Sequence, residues 1–171
     1  MKLFHVSEEP DISRFSPRYS PRIDKSVVWA ISENKLVNYM FPRDCPRIAY
    51  SAGKDTSKTD KKHFLACSQQ VIAIEALWYE RATTTMLYLY ELPASAFNLF
   101  DSIAGYYTTE RIVTPIHKHI INAPIKELLS KKIELRIMPC LWQLYDAVVN
   151  STLEFSIIRM KNARPRMRSH Y

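Results

Sequence analysis

Glycine is scarce in this chain of 171 residues, which contains only Gly53 and Gly105. With glycine at these two positions alone, neither G-x-G-x-x-G nor G-x-x-x-x-G-K-[ST] can be written, so a glycine-rich phosphate loop is excluded. Cysteine is also scarce: Cys45, Cys67 and Cys140 form no C-x-x-C pair and no Cys/His set with metal-site spacing. A bound nucleotide would therefore be held by side chains and ordinary backbone, and no metal is expected.

Long apolar runs are absent as well, so the sequence predicts no membrane-spanning segment. The N-terminus lacks the charged region and apolar run that mark a secretory signal. An odd number of cysteines without such a signal is typical of reduced thiols in a cytoplasm. These features together predict a cytoplasmic protein with no membrane partner.

The composition is that of a folded chain, with 47% hydrophobic and 12% aromatic residues. The formal net charge is +7, and basic residues gather in segment 54–62 and at the C-terminus. Two interpretations of these basic residues stay open: a solvated surface, and a surface that binds nucleic acid or another polyanion. The oligomeric state stays open too.

Strand and helix signals are interspersed without regular alternation, which favours an α+β fold over a doubly wound parallel sheet. Apolar and aromatic runs predict strands over 2–6, 27–31 and 86–92. Alternation of apolar and polar residues predicts a further, half-buried strand over 133–138. We therefore expect a mixed or antiparallel sheet at the core.

Two helices are predicted in the C-terminal third of the chain. Residues 117–132 indicate a helix that Pro124 interrupts. Apolar residues recur at three- and four-residue steps over 141–162, which predicts one long amphipathic helix. The expected organisation is a single α+β domain over 1–162, followed by a basic tail over 163–171.

The opening segment, LFHVSEEPDISRFSPR, places a histidine near the end of the first strand. His5 is followed closely by the acceptors Ser7, Glu8 and Glu9. A polar cluster on a rigid strand can orient a ligand that carries hydroxyl or phosphate groups. The alternative is a half-buried strand histidine that is held by a backbone partner.

The segment FPRDCPR places two Pro-Arg pairs around Asp44. A guanidinium forks onto phosphate, so Arg43 and Arg47, together with Arg18 near the first strand, are candidate phosphate ligands. The alternative is a structural Arg–Asp pair that pins a stiff loop. Cys45 has no histidine partner by spacing, which disfavours a role as a nucleophile.

Four segments in order, LFHVSEEPDISRFSPR, VVWAISENKLVNYM, MLYLYELP and GYYTTERIVTP, resemble the ADP-ribosyltransferase-like fold. The resemblance is to its small bacterial members, such as the rifampin ADP-ribosyltransferases, and it covers roughly the first two-thirds of the chain. The chain also resembles an uncharacterised bacterial family marked by FPRDCPR and by the ending TLEFSIIRMKNA. That second resemblance implies no activity.

The first resemblance implies an enzyme that uses NAD as substrate, cleaves its nicotinamide glycosidic bond and transfers ADP-ribose to an unknown acceptor. His5 corresponds to the histidine that hydrogen-bonds the nicotinamide ribose, and Trp29 to the aromatic that stacks on nicotinamide. Asp101 is the candidate carboxylate that stabilises the oxocarbenium-like state. The candidate NAD-binding side chains are His5, Ser7, Arg18, Tyr39, Arg43 and Arg47.

The chain departs from the arginine-modifying members of that fold, because it contains no E-x-E motif. An alternative is therefore a non-catalytic member of the fold that binds a nucleotide or nucleic acid through its basic surface. A third hypothesis is an interaction protein whose C-terminal helix mediates dimerisation. The enzyme hypothesis requires the side chains of His5, Trp29 and an acidic residue to line one cleft.

Overall fold

The computed structural model describes residues 1–166, and the chain divides into two compact units. The first unit comprises Met1–Arg43 and Thr85–Pro124, and the second comprises Asp44–Thr84 and the chain from Ile125 onward. Each unit has its own sheet and its own buried apolar residues. The combination of helices with antiparallel and mixed sheets confirms the predicted α+β class.

Strands contribute most of the regular structure. In the described part of the chain they are β1 (Leu3–Ser7), β2 (Arg18–Ser20), β3 (Lys25–Ser32), β4 (Arg47–Ser51), β5 (Gln70–Glu75), β6 (Leu87–Leu92), β7 (Asn98–Asp101), β8 (Tyr106–Thr109), β9 (His117–Ile121), β10 (Glu134–Met138) and β11 (Glu154–Ile158). The strands predicted over 2–6, 27–31, 86–92 and 133–138 correspond to β1, β3, β6 and β10, because each has the apolar run or the alternation that a pleated sheet buries.

The helices are short. The α-helices of the described chain are α1 (Lys58–Asp60), α2 (Tyr79–Thr84), α3 (Pro124–Ser130) and α4 (Trp142–Val149), and a π-helix (Lys61–Leu65) continues α1. The 3₁₀ turns are Glu33–Tyr39, Ala76–Trp78, Ala94–Ala96 and Met160–Asn162. Over residues 1–166 we find no helix that combines the length and apolar character needed to cross a membrane.

The first unit is built on an antiparallel sheet with the strand order β7-β8-β3-β1-β6-β9, and β2 pairs with β3 beside this path. Successive side chains of β1 pack on opposite faces of this sheet. Leu3 joins a buried cluster with Tyr90 on one face, and Phe4 joins a second cluster with Ile31 on the other. Apolar residues therefore cover both faces near β1.

The second unit is built on a four-stranded sheet with the order β10-β5-β4-β11. The β5–β10 pair is parallel and the other two pairs are antiparallel, so this sheet is mixed. Its buried cluster joins Ile48 of β4 and Val71 of β5 to Leu144 and Val148 of α4. Burying these apolar groups is the main stabilising contribution in this unit.

The predicted long C-terminal helix over 141–162 is wrong. Helix α4 ends at Val149, and Glu154–Ile158 forms β11, which pairs with β4. The side chains of Asn150 and Ser151 donate hydrogen bonds of 2.7 Å to carbonyl oxygens inside α4. Such local side-chain bonds compete with the helical pattern and end the helix, although apolar periodicity continues beyond it.

The predicted helix over 117–132 is also wrong in its first part. His117–Ile121 forms β9, an edge strand that pairs with β6. The helix α3 begins only at Pro124. Proline is favoured in the first turn of a helix, where its missing N–H has no helical partner to lose, and disfavoured in the interior.

The expected basic tail over 163–171 is described only as far as residue 166, and residues 167–171 lie outside the described part. The backbone N–H of Arg164 donates to both carboxylate oxygens of Glu75, at 3.1 and 3.2 Å. The indole N–H of Trp142 donates to the Arg164 carbonyl oxygen at 2.7 Å. The expected domain boundary after residue 162 stays a prediction, although the backbone at Arg164 is bonded into the second unit.

Candidate ligand-binding site

His5 lies where β1 separates from β3. The pairing of β1 with β3 ends at Phe4, which lies opposite Ile31, whereas the pairing of β1 with β6 continues to Ser7. At the separation, the Trp29 carbonyl oxygen lies 3.1 Å from Nδ1 of His5. The imidazole therefore supplies β3 with a hydrogen bond at the point where the main-chain pairing has ended.

The hydrogen bond to Trp29 fixes the tautomer of His5. A carbonyl oxygen can only accept, so Nδ1 carries the proton and Nε2 of the neutral ring is an acceptor. Burial lowers the pKa of His5; its hydrogen bond to Trp29 opposes this, and the positive charges of Arg43 and Arg18 lower the pKa further. At neutral pH the ring is therefore uncharged, and its free nitrogen accepts rather than donates.

The side chains of Arg18 and Arg43 are exposed, and their charges act on His5. Arg18 begins β2, and the backbone N–H of Arg43 donates to Glu8 Oε2 at 3.0 Å. Within residues 1–166, neither guanidinium has an ion-pair partner. Of the predicted NAD-binding residues, Arg18 and Arg43 thus act electrostatically on His5, and their positive charges are not neutralised by an ion pair in the described chain.

Ser7, another predicted NAD-binding residue, lies on the same strand as His5 at the end of β1. Its hydroxyl oxygen accepts a 3.0 Å hydrogen bond from the backbone N–H of Glu9. This bond stabilises the turn that follows β1. The hydroxyl proton of Ser7 is not used in that bond and can still be donated.

Trp29 points to the opposite face of the sheet from His5. Facing residues of paired strands share a face, so Phe4 and Ile31 lie on one face, and Trp29, two residues from Ile31, lies there too. His5 follows Phe4 and faces the other way, where its ring centroid lies 4.8 Å from that of Phe15. The structure therefore does not bring His5 and Trp29 into one cleft, which the enzyme hypothesis required.

The Trp29 ring belongs instead to an aromatic box that holds the guanidinium of Arg22. The Arg22 carbon Cζ lies 5.0 Å from the ring centroid of Tyr106, 5.5 Å from Phe100 and 6.0 Å from Trp29. Arg22 Nη2 also lies 3.7 Å from Asp101 Oδ2. Aromatic faces and a carboxylate around one cation give cation–π and ionic attraction, so the box fixes the turn between β2 and β3.

Asp101, the predicted catalytic carboxylate, has a structural role in the loop after β7. Its Oδ1 accepts hydrogen bonds from the backbone N–H groups of Ile103 at 3.0 Å and Ala104 at 2.9 Å. Its Oδ2 faces Arg22. Both oxygens therefore have partners within the first unit, and Asp101 lies with Trp29 rather than with His5.

Tyr39, also predicted to bind NAD, lies on the Trp29 side. It ends the turn Glu33–Tyr39, and its hydroxyl donates a hydrogen bond to the hydroxyl of Tyr106. Gly105 precedes Tyr106 with φ of +71°, and a Cβ at this glycine would lie 2.4 Å from Ser32 Oγ. A side chain at Gly105 is therefore excluded both by the left-handed backbone and by this close approach.

Arg47, the remaining candidate phosphate ligand, is buried in the second unit. It is 2% exposed, and its Nη1 donates to the Cys45 carbonyl oxygen at 2.7 Å. The side chain therefore stabilises the turn into β4 and is not presented to an external phosphate. Burial raises the pKa of the Cys45 thiol to about 12, against the opposing charges of Arg47 and Arg81, which agrees with the expectation that Cys45 is not a nucleophile.

Phe100, Tyr106 and Arg22 were not among the candidate site residues named from sequence. The signal that could have identified them is the pair of aromatic segments on either side of Gly105, NLFD and GYYTT. In an antiparallel pair such as β7–β8, these segments place rings on a shared face. The position of Arg22 over those rings depends on the β2–β3 turn and has no local signal.

Residues 4–163 of the chain match a family of unknown function, DUF6886. No curated protein matches the sequence. No solved structure matches the fold either. The matched range includes the whole neighbourhood of His5 and the aromatic box around Arg22.

Proposed function

The chain belongs to the DUF6886 family, whose function is unknown, and from its own geometry we propose that it binds a nucleotide through His5, Arg18 and Arg43. The observation that carries the proposal is a neutral imidazole, anchored to the Trp29 carbonyl, on which the charges of two exposed guanidinium groups act, neither of them with an ion-pair partner in the described chain. Arginine binds phosphate through two parallel N–H donors. A phosphate-bearing ligand would satisfy both arginines at once.

His5 would contact the sugar of that ligand. With Nδ1 bonded to Trp29, Nε2 accepts a hydrogen bond from a ribose hydroxyl without adding a charge. Ser7 lies two residues after His5 and therefore on the same face of β1. Its hydroxyl can donate to a second ligand oxygen. A nucleotide therefore fits this set better than inorganic phosphate alone, because it offers both the hydroxyls and the anion.

NAD is the first nucleotide to test, because the resemblance to the rifampin ADP-ribosyltransferases implies it. We do not extend the proposal to transfer of ADP-ribose. The Trp29 and Asp101 side chains lie on the opposite face of the sheet from the His5 side chain, and both contact the Arg22 guanidinium. Catalytic use of these residues would require the Arg22 guanidinium to leave the box.

The test is a ligand-observed NMR titration of the full chain with NAD, ADP and AMP. We expect binding by the wild type, a loss of at least tenfold in affinity for the Arg18→Ala/Arg43→Ala double variant, and a smaller loss for His5→Gln. Arg14→Ala is the matched control, because Arg14 is also exposed but is not among the charges that lower the pKa of His5. Thermal unfolding of each variant verifies that it is folded.

Failure of all three ligands to bind the wild type would overturn the proposal. Equal losses in Arg14→Ala and in the double variant would also count against it, since that pattern indicates nonspecific attraction to the net charge of +7. A single-stranded oligonucleotide is titrated in parallel at two salt concentrations. Tight, salt-dependent binding of the oligonucleotide with no binding of nucleotides would favour the nucleic-acid alternative.

A further inference from the structure

Strand β9 carries two histidines in alternate positions at the edge of the first unit's sheet. Alternate residues of a strand point to the same face, so His117 and His119 share one face. Their ring centroids lie 6.3 Å apart, with ring planes inclined by 54°, and both side chains are exposed. This spacing allows small rotations about the side-chain bonds to bring one nitrogen of each ring to a common point.

One carboxylate and two lysines lie near the pair. Lys118, between the two histidines, points to the opposite face, where its Nζ lies 2.8 Å from the Pro10 carbonyl oxygen. Glu91 lies directly opposite His117 in the β6–β9 pairing, so its carboxylate is on the histidine face. The Glu91 side chain is 12% exposed, and its ionic contact within residues 1–166 is to Lys2 Nζ at 3.4 Å. The Glu91 carboxylate therefore lies on the face of the imidazoles, where it is paired with Lys2, while Lys118 faces away.

We propose that His117 and His119 form a two-histidine site for a divalent transition metal of the Zn²⁺, Ni²⁺ and Cu²⁺ class. Neutral imidazole nitrogen is a preferred ligand of these ions. In the described chain neither imidazole has a hydrogen-bond partner, so their nitrogens are not otherwise engaged. Two ligands on one rigid strand bind as a chelate, which lowers the entropic cost of the second bond.

The site supplies two protein ligands and leaves the remaining coordination positions to solvent or to another molecule. Among residues 1–166, no three His, Cys, Asp or Glu side chains are grouped so as to hold an ion. An open coordination sphere distinguishes this site from a closed structural zinc site, which uses four protein ligands. The proposal departs from the expectation of no metal, which rested on the absence of C-x-x-C pairs and of Cys/His sets with metal-site spacing.

The test is isothermal titration of the full chain, prepared without a polyhistidine tag, with NiSO₄ and with ZnCl₂. We expect one ion per chain for the wild type and at least a tenfold loss of affinity for His117→Ala and for His119→Ala. The chain has five histidines, so His5→Gln, His63→Ala and His170→Ala are matched controls that should leave the affinity unchanged. The side chains of His117 and His119 are exposed, so replacing either of them with alanine should leave the fold unchanged.

Two results would overturn the proposal: no binding of either ion by the wild type, or binding that survives both substitutions on β9. Loss of binding in a control variant would place the site elsewhere. The nucleotide proposal is independent of this one, because its residues lie on β1, on β2 and in the loop before β4. A chain that binds NAD but no metal, or metal but no NAD, would separate the two.

Discussion

Two arginines in the same local context have opposite environments. Arg43 and Arg47 both follow a proline in FPRDCPR, yet Arg43 is exposed in the first unit and Arg47 is 2% exposed in the second. Arg43 adds unpaired positive charge near His5, whereas Arg47 donates to the Cys45 carbonyl oxygen. Sequence context alone therefore does not tell a ligand-binding arginine from a structural one, and burial with satisfied hydrogen bonds does.

The largest expected effect concerns the reactivity of Cys45, beside Arg47. Because burial raises its pKa to about 12, the thiolate fraction at pH 8 is lower by roughly three orders of magnitude than for an ordinary thiol. We expect iodoacetamide to label the exposed Cys67 long before Cys45 in the folded chain. Peptide mass spectrometry measures both rates, and equal rates at Cys45 and Cys67 would show that the Arg47 region is open to solvent.

The next effect is on stability, and it compares the two arginines directly. Arg47→Ala should lower the free energy of unfolding by about 3 kcal/mol, since it leaves a buried carbonyl without its donor and creates a void. Arg43→Ala, at an exposed side chain, should change it by less than about 0.5 kcal/mol. Urea unfolding of both variants decides the matter. Similar values for the two would contradict the contrast in burial.

A smaller effect is expected in the pH dependence of stability through His5. Its folded-state pKa lies below the ordinary histidine value of 6.5, so the unfolded chain takes up a proton first as pH falls. The contribution of His5 is therefore complete above about pH 6.5 and is lost as pH falls below it, by at most about 1.4 kcal/mol per pH unit. Urea unfolding between pH 7.5 and 5.5 should show a shallower pH dependence in His5→Gln. Identical slopes in the two proteins would contradict the lowered pKa.

The smallest effect concerns Arg22 and the aromatic box. Arg22→Ala should lower the free energy of unfolding by about 0.5–1 kcal/mol, because the guanidinium is half-exposed and its cation–π contacts are partly solvated. Arg22→Lys keeps the charge without the planar group, and we expect an intermediate value. Arg14→Ala is the control for loss of one exposed arginine. A loss for Arg22→Ala that does not exceed the control would mean that the box does not stabilise the β2–β3 turn.

Much of the strand content could be predicted from sequence, and the ends of the chain's regular elements could not. Strands β1, β3, β6 and β10 were found because apolar runs and alternation are local properties that a sheet buries directly. The helix predicted over 141–162 failed because Asn150 and Ser151 bond to α4 and end it, while β4 recruits the following residues. The pairing of β11 with β4 therefore outweighed the helical periodicity of the sequence over 141–162.

The candidate site was predicted in part. His5, Arg18 and Arg43 were named from residue type, and in the structure the charges of the two arginines act on His5. The same reasoning grouped them with Trp29, which lies on the opposite face of the sheet, and with Arg47, which is buried in the second unit. Residue type does not report the face of a strand or the depth of a side chain, because both depend on register with distant partners.

The sequence by itself determined the α+β class, the lack of a glycine-rich phosphate loop and which functional groups the strand residues carry. Those properties follow from composition and local period. Only the tertiary structure decided that His5 and Trp29 face apart, that Arg22 occupies the aromatic box and that His117 and His119 share a face. Each of these depends on which strand pairs with which and in what register, and that is set by the burial of apolar groups across the whole chain.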